Sequence, residues 1–470
     1  MASDDEAMKR TGMWGNPPKG SVAEFLVVAM PLIISSGSVS LMFVCDRVFL
    51  TWYSQDALAA AMPAGLLHLT IASIALGVAN YTNTFVAQYE GAGRKQRVSA
   101  ILWQGNYLAV FWGIVLVGLV PWSRDIFELI GHEAKVIPLE AEYFSVLCCG
   151  SLPIVFSANL GCFFSGRGQT SIVMWVNVLT TLTNVGLDYC LIFGKGPFPE
   201  LGIRGAAIAT VTASCTSTIL FAALMTRGHL KEYDLWKNRG FDAKLMRRYL
   251  RFGFPNGMSW LVDLSAFSVF ILLVGKLGAD ELAATNLAFN INSLAFVPML
   301  GVGIAVSTLV GQRIGEEQVD LASKSTWIAF TLTGAYMIVF AVIYVAIPDL
   351  ILYPYLKFSV DKLGPLREQV IVLLRFIAVY TFFDAMVIVF GSAIRGAGDT
   401  RFSLIFSLIS SWLIMVLPTY LFWTWYGGDL ELSWTVCTVF IIFLGIGFLV
   451  RFMGGKWKTM RVIEANVIAE

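Results

Sequence analysis

The chain has 470 residues, of which 57% are hydrophobic and only 14% are charged. Soluble domains carry about 25% charged residues, so this composition excludes an ordinary water-facing surface for a chain of this length. The formal net charge of +1 argues against nucleic acid as a partner. The sequence therefore indicates an integral membrane protein.

A helix needs about 20 mostly apolar residues to cross the hydrocarbon core of a bilayer. The sequence contains twelve such stretches, at 22–50, 57–86, 99–121, 139–164, 170–194, 205–226, 250–275, 282–311, 325–347, 368–394, 401–424 and 432–453. None shows the alternating polarity of a membrane β-strand. We predict an all-α fold with twelve transmembrane helices.

Lys and Arg residues concentrate in alternate loops, above all in the long loop 227–249. Cytoplasmic loops carry the excess of positive charge, so both tails, 1–21 and 454–470, are predicted to be cytoplasmic. An even number of spans also requires the two termini to share a side. We predict a multi-pass protein of the inner or plasma membrane.

An internal repeat divides the chain. Shifted by 224 residues, the sequence matches itself at Pro31 with Pro255, Asp56 with Asp280, Gln88 with Gln312 and Gly91 with Gly315. A second match, at a shift of 230, aligns 166–170 with 396–400. Six spans thus repeat once in the same orientation, which predicts an N-lobe over 22–226, a C-lobe over 250–453 and the connecting loop 227–249. Parallel six-helix repeats are a transporter architecture, although a channel or membrane enzyme can also be duplicated.

The predicted N-lobe spans contain a carboxylate–amide group. Asp46 lies late in the first span, and Asn184 and Asp188 lie four residues apart in the fifth, hence on one helix face. Ionisable side chains are costly in hydrocarbon and mark functional sites. Two carboxylates and an amide can hold Na⁺, and two carboxylates alone can share a proton. The alternative is that each acid only bonds a neighbouring helix.

The predicted C-lobe spans contain a second acidic group. Tyr380 and Asp384 are four residues apart in the tenth span, and Asp263 lies in the seventh. The same cation chemistry is available to them. A carboxylate in this Phe-rich region could instead hold a cationic drug, helped by cation–π contact.

The other polar residues within spans carry less information. Arg47 need not pair with Asp46, because adjacent helix residues point about 100° apart, and the role of Arg375 stays open. His68 is predicted to be a hydrogen-bonded core histidine rather than a proton relay. The cysteines fall in apolar stretches and indicate neither a disulfide framework nor a metal cluster. No nucleotide-binding, metalloprotease or hydrolase motif is present, so we predict a protein that is not an enzyme and has no cofactor.

Several segments together resemble the multidrug and toxic compound extrusion (MATE) family. They include Asp-Ala-Leu-Ala-Ala at 56–60, Ala-Gln-Tyr-Glu-Gly-Ala-Gly at 87–93, Asn-Val-Gly-Leu-Asp at 184–188, Gly-Ala-Ala-Ile-Ala-Thr at 205–210, Gly-Gln-Arg-Ile-Gly at 311–315 and Arg-Gly-Ala-Gly-Asp-Thr at 395–400. Their order and spacing cover almost all of 22–453. The resemblance implies two six-helix lobes around a central cavity and alternating access. It also implies a monomer in the lipid that exports cationic or amphipathic drugs and metabolites in exchange for Na⁺ or H⁺.

The resemblance also assigns roles to residues of this sequence. It places the N-lobe cation site, a candidate Na⁺ site, at Asp46, Asn184 and Asp188, with Ala206 and Thr210 beside it. It places the bend of the first helix at Pro31, and the C-lobe acidic site of the NorM-like branch at Asp263, Tyr380 and Asp384. Three positions depart from the family pattern. Asp263 stands where Glu is more usual, Asn286 where Gln is common, and Arg47 where a small or neutral residue is expected.

A lipid-linked substrate flippase of the related exporter superfamily is the alternative function. Such proteins usually carry more basic residues in the cavity, whereas acids outnumber bases in these spans. The sequence leaves open the coupling ion, its stoichiometry, the substrates, and whether both acidic sites act in one cycle.

Overall fold

The computed structural model describes residues 17–229, 232–352 and 364–464. Within these ranges the long elements are helices: α1 (Val22–Tyr53), α2 (Gln55–Gly91), α3 (Lys95–Val117), α4 (Ser123–Ile130), α5 (Ile137–Cys149), α6 (Ser151–Gly166), α7 (Thr170–Phe193), α8 (Gly202–His229), α9 (Ala243–Gly275), α10 (Ala279–Gly315), α11 (Val319–Ala346), α12 (Gly364–Ala397), α13 (Thr400–Ile409), α14 (Leu417–Tyr426) and α15 (Leu430–Met453). Most of the predicted N-terminal tail, and residues 465–470 of the C-terminal tail, lie outside the described residues.

Within the described ranges, eleven spans are long and apolar enough to cross a membrane, and the bent pair α5–α6 brings the number to twelve. The predicted all-α membrane fold is confirmed. The fourth predicted span, 139–164, is not one straight helix, because α5 and α6 meet at 45°. Gly150 separates them, and a Cβ there would collide with the Val211 side chain of α8. A short π-helical segment, Ser410–Val416, links α13 to α14 within the eleventh predicted span.

The chain forms two compact units. Among the described residues, the N-unit comprises Ile34–Met258, Gly311–Glu317 and 462–464, and the C-unit comprises 17–33, Ser259–Val310 and Gln318–Arg461. The predicted lobes are continuous stretches of sequence. In the structure, by contrast, each unit also contains segments from the other half. The first turns of α1 belong to the C-unit. The N-unit contains the first turns of α9, the last turn of α10 and residues 462–464.

In the N-unit, α2 packs against α3, α5 and α6, while α7 pairs with α8. The first half of α9 joins this unit through a close approach to α2, where a Cβ on Gly77 would lie 2.5 Å from Gly257 Cα. Asn256 Nδ2 donates to the Gly77 carbonyl at 2.8 Å, and the Tyr249 hydroxyl donates to Val78 O at 2.8 Å. Helix α9 begins at Ala243, within the predicted connecting loop, where Asp242 Oδ1 accepts a hydrogen bond from Leu245 N at 3.0 Å.

In the C-unit, α12 packs against α11 and α15. The start of α1 joins this unit, since a Cβ on Gly301 would lie 2.6 Å from the Leu32 carbonyl. Gly77 and Gly301 are aligned by the internal repeat, so the two halves use the same close helix approach. Helix α1 runs through Pro31 without interruption, and the bend expected there stays a prediction.

The segment after Arg461 is anchored to the N-unit. Val462 N donates to Gln88 Oε1 at 2.8 Å, and the Glu464 carboxylate accepts from Tyr89 at 2.9 Å and Arg97 at 2.7 Å. Burial by itself would raise the pKa of Glu464, but the hydrogen bonds that its carboxylate accepts hold the pKa below its ordinary value. Part of the predicted C-terminal tail is therefore packed on the helices.

Candidate cation site of the N-unit

The face of α7 turned toward α1 is polar. Its side chains are spaced by four, three and four residues, at Asn177, Thr181, Asn184 and Asp188. Asn177 Nδ2 donates to Ser35 Oγ at 2.6 Å, and Thr181 Oγ1 donates to the Ser38 carbonyl at 3.1 Å. These bonds fix the rotation of α7 against α1 and bring the last two positions of the stripe toward Asp46.

Asp46, Asn184 and Asp188 form one hydrogen-bonded group, here called the acid cluster. With its nitrogen turned to the carboxyls, the Asn184 amide donates to Asp46 Oδ1 and to Asp188 Oδ2, each at 3.1 Å. The opposite orientation would turn an acceptor toward acceptors. The two carboxyls also interact electrostatically with each other. Since two ionised carboxyls bridged by one amide repel each other, the pair favours a shared proton or a bound cation.

The acid cluster is almost fully enclosed by protein. Asp46 is 7% exposed, and Asn184 and Asp188 are 0% exposed. Asp188 Oδ1 has no hydrogen-bond partner in the described part of the chain. Because a buried, uncompensated carboxylate is costly, this arrangement favours uptake of a positive charge, either a proton or a metal cation.

Helix α8 provides the wall beside the cluster, where the sequence predicted Ala206 and Thr210. A Cβ on Gly205 would lie 2.7 Å from the Leu191 carbonyl group, so the glycine lets α8 pack directly on α7. With the amide nitrogen turned to the acids, Asn184 Oδ1 lies 3.4 Å from Thr210 Oγ1. Ala206 is fully buried. A hydroxyl both donates and accepts, so Thr210 can serve either orientation of the amide.

Tyr143 on α5 was not among the predicted site residues. Its buried side chain interacts electrostatically with both Asp46 and Asp188. A lone tyrosine in an apolar span has no polar pattern to mark it. The stripe on α7, in contrast, could have been found from its spacing alone.

Arg47 does not complete the cluster. Its side chain is exposed whereas Asp46 is buried, as expected for adjacent helix positions. It interacts with Asp46 through space, but no ion pair or hydrogen bond joins these two side chains in the described ranges. The prediction that Arg47 need not pair with Asp46 agrees with this geometry.

The acidic residues of the C-unit are arranged differently. Tyr380 and Asp384 lie one turn apart on α12, are both buried and interact electrostatically. Asp384 also interacts with Cys437 on α15, and Tyr380 with the buried Tyr344 on α11. No hydrogen bond to Asp384 is found within the residues that the structure describes.

Asp263 does not join this pair. It lies on α9, is partly exposed, and has its charge interaction with Arg395 near the end of α12. Across the described residues, neither a hydrogen bond nor a charge interaction links Asp263 to Tyr380 or Asp384. The structure thus brings together two of the three residues expected at the C-lobe site.

His68 is accounted for by its surroundings. Ser151 Oγ donates to the Leu147 carbonyl at 3.0 Å and lies 2.9 Å from His68 Nε2, so the imidazole donates and the hydroxyl accepts. This is the geometry of a satisfied core histidine. The seven cysteines are all free. No group of three or more His, Cys, Asp or Glu side chains able to hold a metal ion occurs in the described ranges, so a Na⁺ site at the acid cluster would need the Asn184 amide.

Eleven or twelve helices able to span a membrane, in two units that each bury acidic side chains, are the features of a multi-pass membrane protein with functional polar sites. The MatE family model matches residues 31–190 and 255–421, and the chain belongs to this family of transporters.

Curated relatives and solved structures agree with the family assignment. The chain is 26% identical over 455 residues to a probable multidrug resistance protein NorM of Thermotoga maritima, covering 95% of each chain. It is 28% identical to the protein of the same description from Burkholderia pseudomallei, covering 82% of each. An outward-facing multidrug resistance MATE transporter shares the fold with a TM-score of 0.85 at 20% identity, covering 94% of this chain and 97% of that one. A transporter of Pyrococcus furiosus, described as having a binding pocket of reverse polarity that suggests a different function, matches with a TM-score of 0.84 at 20% identity over 94% of this chain and 98% of that one.

Proposed function

We propose that this transporter exports small cationic or amphipathic molecules, drugs and metabolites among them, in exchange for Na⁺ or H⁺ bound at the acid cluster. The observation that carries the proposal is the Asn184 amide, which joins the buried carboxyls of Asp46 and Asp188 through two hydrogen bonds of 3.1 Å. The NorM relatives, described as multidrug resistance proteins, support the substrate class. Both termini are taken to be cytoplasmic.

H⁺ and Na⁺ would bind to the acid cluster in different ways. One proton shared between Asp46 and Asp188 leaves the Asn184 amide where it is, since its nitrogen still faces carboxyl oxygens. Na⁺ needs oxygen ligands, so the amide must rotate to present Oδ1 to the ion. Thr210 Oγ1 would then accept from Nδ2 instead of donating to Oδ1. The amide of Asn184 is therefore the feature on which the choice of cation depends.

Cation binding acts on helix positions, because the cluster joins α1 to α7. A bound cation strengthens this connection by removing the repulsion between two buried carboxylates. A ligand shifts a conformational equilibrium only as far as its affinities for the two states differ. We therefore infer that the two access states hold the cluster at different Asp46–Asp188 separations, and that the drug is released when the cation favours the other state.

The charge inside each unit supports a cationic substrate over an anionic lipid-linked one. Asp46, Asp188 and Asp384 are buried, whereas Arg47 and Arg375 are exposed. The reverse-polarity pocket described for the Pyrococcus furiosus transporter belongs to a protein of the same fold. The fold therefore does not determine the substrate, and the buried acids are what favours export of cations.

The test is ethidium efflux from proteoliposomes that contain the purified chain, with a Na⁺ gradient or a pH gradient imposed separately. Gradient-driven efflux is expected with one of the two ions. In Asp46→Asn the gradient-driven efflux of ethidium should be lost, because the acid cluster can no longer bind the coupling cation. The matched control is Asp125→Asn, since Asp125 is an exposed acid on α4 and its replacement should leave efflux unchanged.

Two results would contradict the proposal. Absence of efflux under both gradients, in protein that elutes as a folded species, would favour the flippase alternative. Gradient-driven efflux that persists in Asp46→Asn would remove the acid cluster from the coupling step.

A further inference from the structure

A buried acid outside the acid cluster has no role in the function proposed above. Glu140 on α5 is 1% exposed, and its Oε1 lies 2.7 Å from His132 Nδ1 in the α4–α5 connection. Its Oε2 is buried and has no hydrogen-bond partner in the part of the chain that the structure describes. The His132 side chain is 31% exposed, so this pair links a buried carboxyl to the surface.

The surroundings of Glu140 are apolar. The neighbouring buried residues are those of a hydrophobic cluster that includes Phe127, Val136, Ile137, Tyr143 and Phe144. His132 stacks on Phe127 at 6.0 Å with an interplanar angle of 27°. An apolar side chain at position 140 would complete this cluster at no desolvation cost, whereas a carboxyl with one free oxygen is expensive there. A carboxyl in such a place indicates a function.

The charged groups of the neighbouring elements have other partners or face solvent. They pair as Arg124 with Glu128 at 2.9 Å, Lys135 with Asp56 at 3.2 Å and with Glu133 at 3.7 Å, and Arg204 with Glu142 at 3.7 Å. Asp125 is exposed, and His68 bonds Ser151. Among the described residues, His132 is therefore the one charged or titratable side chain paired with Glu140.

Glu140 is also close to the acid cluster along α5. Tyr143 follows three residues later on the same helix face, about 4.5 Å further along the axis at 1.5 Å per residue. Tyr143 interacts electrostatically with both Asp46 and Asp188. The order of groups is thus the partly exposed imidazole of His132, the buried carboxyl of Glu140, the phenol of Tyr143 and the acid cluster.

We propose that His132 and Glu140 form the site at which the coupling cation gains access to the acid cluster from the outer side. The proposal rests on the function proposed above and on the predicted orientation. For H⁺, the imidazole takes a proton at Nε2 and gives its Nδ1 proton to Glu140 Oε1, which leaves His132 neutral and Glu140 protonated one turn from Tyr143. For Na⁺, the Glu140 carboxylate attracts the ion, and a proton on the pair competes with it.

The experiment measures the initial rate and the final extent of gradient-driven ethidium efflux across external pH, in wild type, Glu140→Gln and His132→Asn. General acid–base groups contribute about 10²-fold or more to a proton-transfer step, so the initial rate should fall at least tenfold in Glu140→Gln and its dependence on external pH should disappear. The final extent should stay at the wild-type value, because an access site changes the rate of loading but not the stoichiometry. The matched control is Glu142→Gln, an exposed acid on the same helix, with rate and pH profile unchanged.

His132→Asn keeps a hydrogen-bond donor for Glu140, and it provides a second test of the proposal if Glu140→Gln does not fold. It should show the same loss of pH dependence. A wild-type rate and pH profile in both variants would overturn the proposal. So would a loss of the final extent together with the rate, because Glu140 would then belong to the coupling step itself. Failure of the proposed function is distinguishable, since the wild type would then show no gradient-driven efflux at all.

Discussion

The acids of the N-unit share a hydrogen-bond donor, whereas the acids of the C-unit do not. Asn184 bridges Asp46 and Asp188, but Asp384 interacts with a phenol and a thiol while Asp263 faces Arg395. The repeat does not relate the two groups, because at the shift of 224 Asp46 aligns with Phe270 and Asp263 with Val39. The duplication preserved helix packing, and each half carries its own chemistry.

This difference suggests that the acids of the two units have different functions. A cation held between two carboxyls and an amide meets a defined set of ligands, which suits one small ion. Separate acids near aromatic side chains provide an attractive field without a fixed coordination geometry, which suits organic cations of varied shape. We therefore expect coupling to depend on the N-unit acids and substrate range to depend more on the C-unit acids.

The largest expected effect is the contrast between Asp188→Asn and Asp384→Asn. Asp188→Asn removes one of the two carboxyls that we propose hold the coupling cation, and gradient-driven ethidium efflux should fall by about 100-fold or more, equivalent to roughly 2.7 kcal/mol. Asp384→Asn should keep the coupling and change mainly the preference among substrates. Initial efflux rates for several cationic dyes measure both effects. Equal losses for every dye in the two variants would abolish the distinction between the units.

A smaller effect is expected for Asn184→Ala. The change removes the donor that bridges Asp46 and Asp188, and loss of a partner for buried groups costs about 1–3 kcal/mol. Na⁺ affinity should fall about tenfold or more, while proton binding should be largely retained because the carboxyls can still share a proton. Calorimetric Na⁺ titration and drug-induced proton release measure the two cations separately. If Na⁺ binding and proton release are lost together, and the melting temperature is lowered, then the Asn184 amide acts only in folding.

The smallest effect tests how the cluster is positioned. Gly205→Ala places a Cβ 2.7 Å from the Leu191 carbonyl group, so α8 must shift from α7, and overpacking of this kind costs about 1–3 kcal/mol. The melting temperature should drop, and cation affinity should weaken a few-fold because Thr210 moves away from Asn184. Gly186→Ala is the matched control on α7, since a Cβ there meets nothing within 4 Å. Identical behaviour of the two variants would mean that the packing of α8 does not position the site.

Much of the architecture was predictable because its determinants are local. Span length and apolarity are properties of contiguous sequence, and they identified the spanning helices, including both halves of the span that breaks at Gly150, but not the short helix α4. The spacing of Asn184 and Asp188 placed them on one face of α7 before any contact was known. The cost of charge in hydrocarbon singled out Asp46 as their possible partner.

The tertiary structure decided which of these residues meet. Asp263 was expected with Tyr380 and Asp384 but interacts with Arg395, while Tyr143 and Glu140 gained significance only from what lies beside them. The start of α9 belongs with the N-unit because glycines allow it to pack on α2. The physical reason is common to all these cases. A sequence specifies the face of each helix, but the rotation and depth at which two helices pack depend on close contacts between residues far apart in the chain, such as Gly205 with Leu191, and these contacts set which polar groups come within bonding distance.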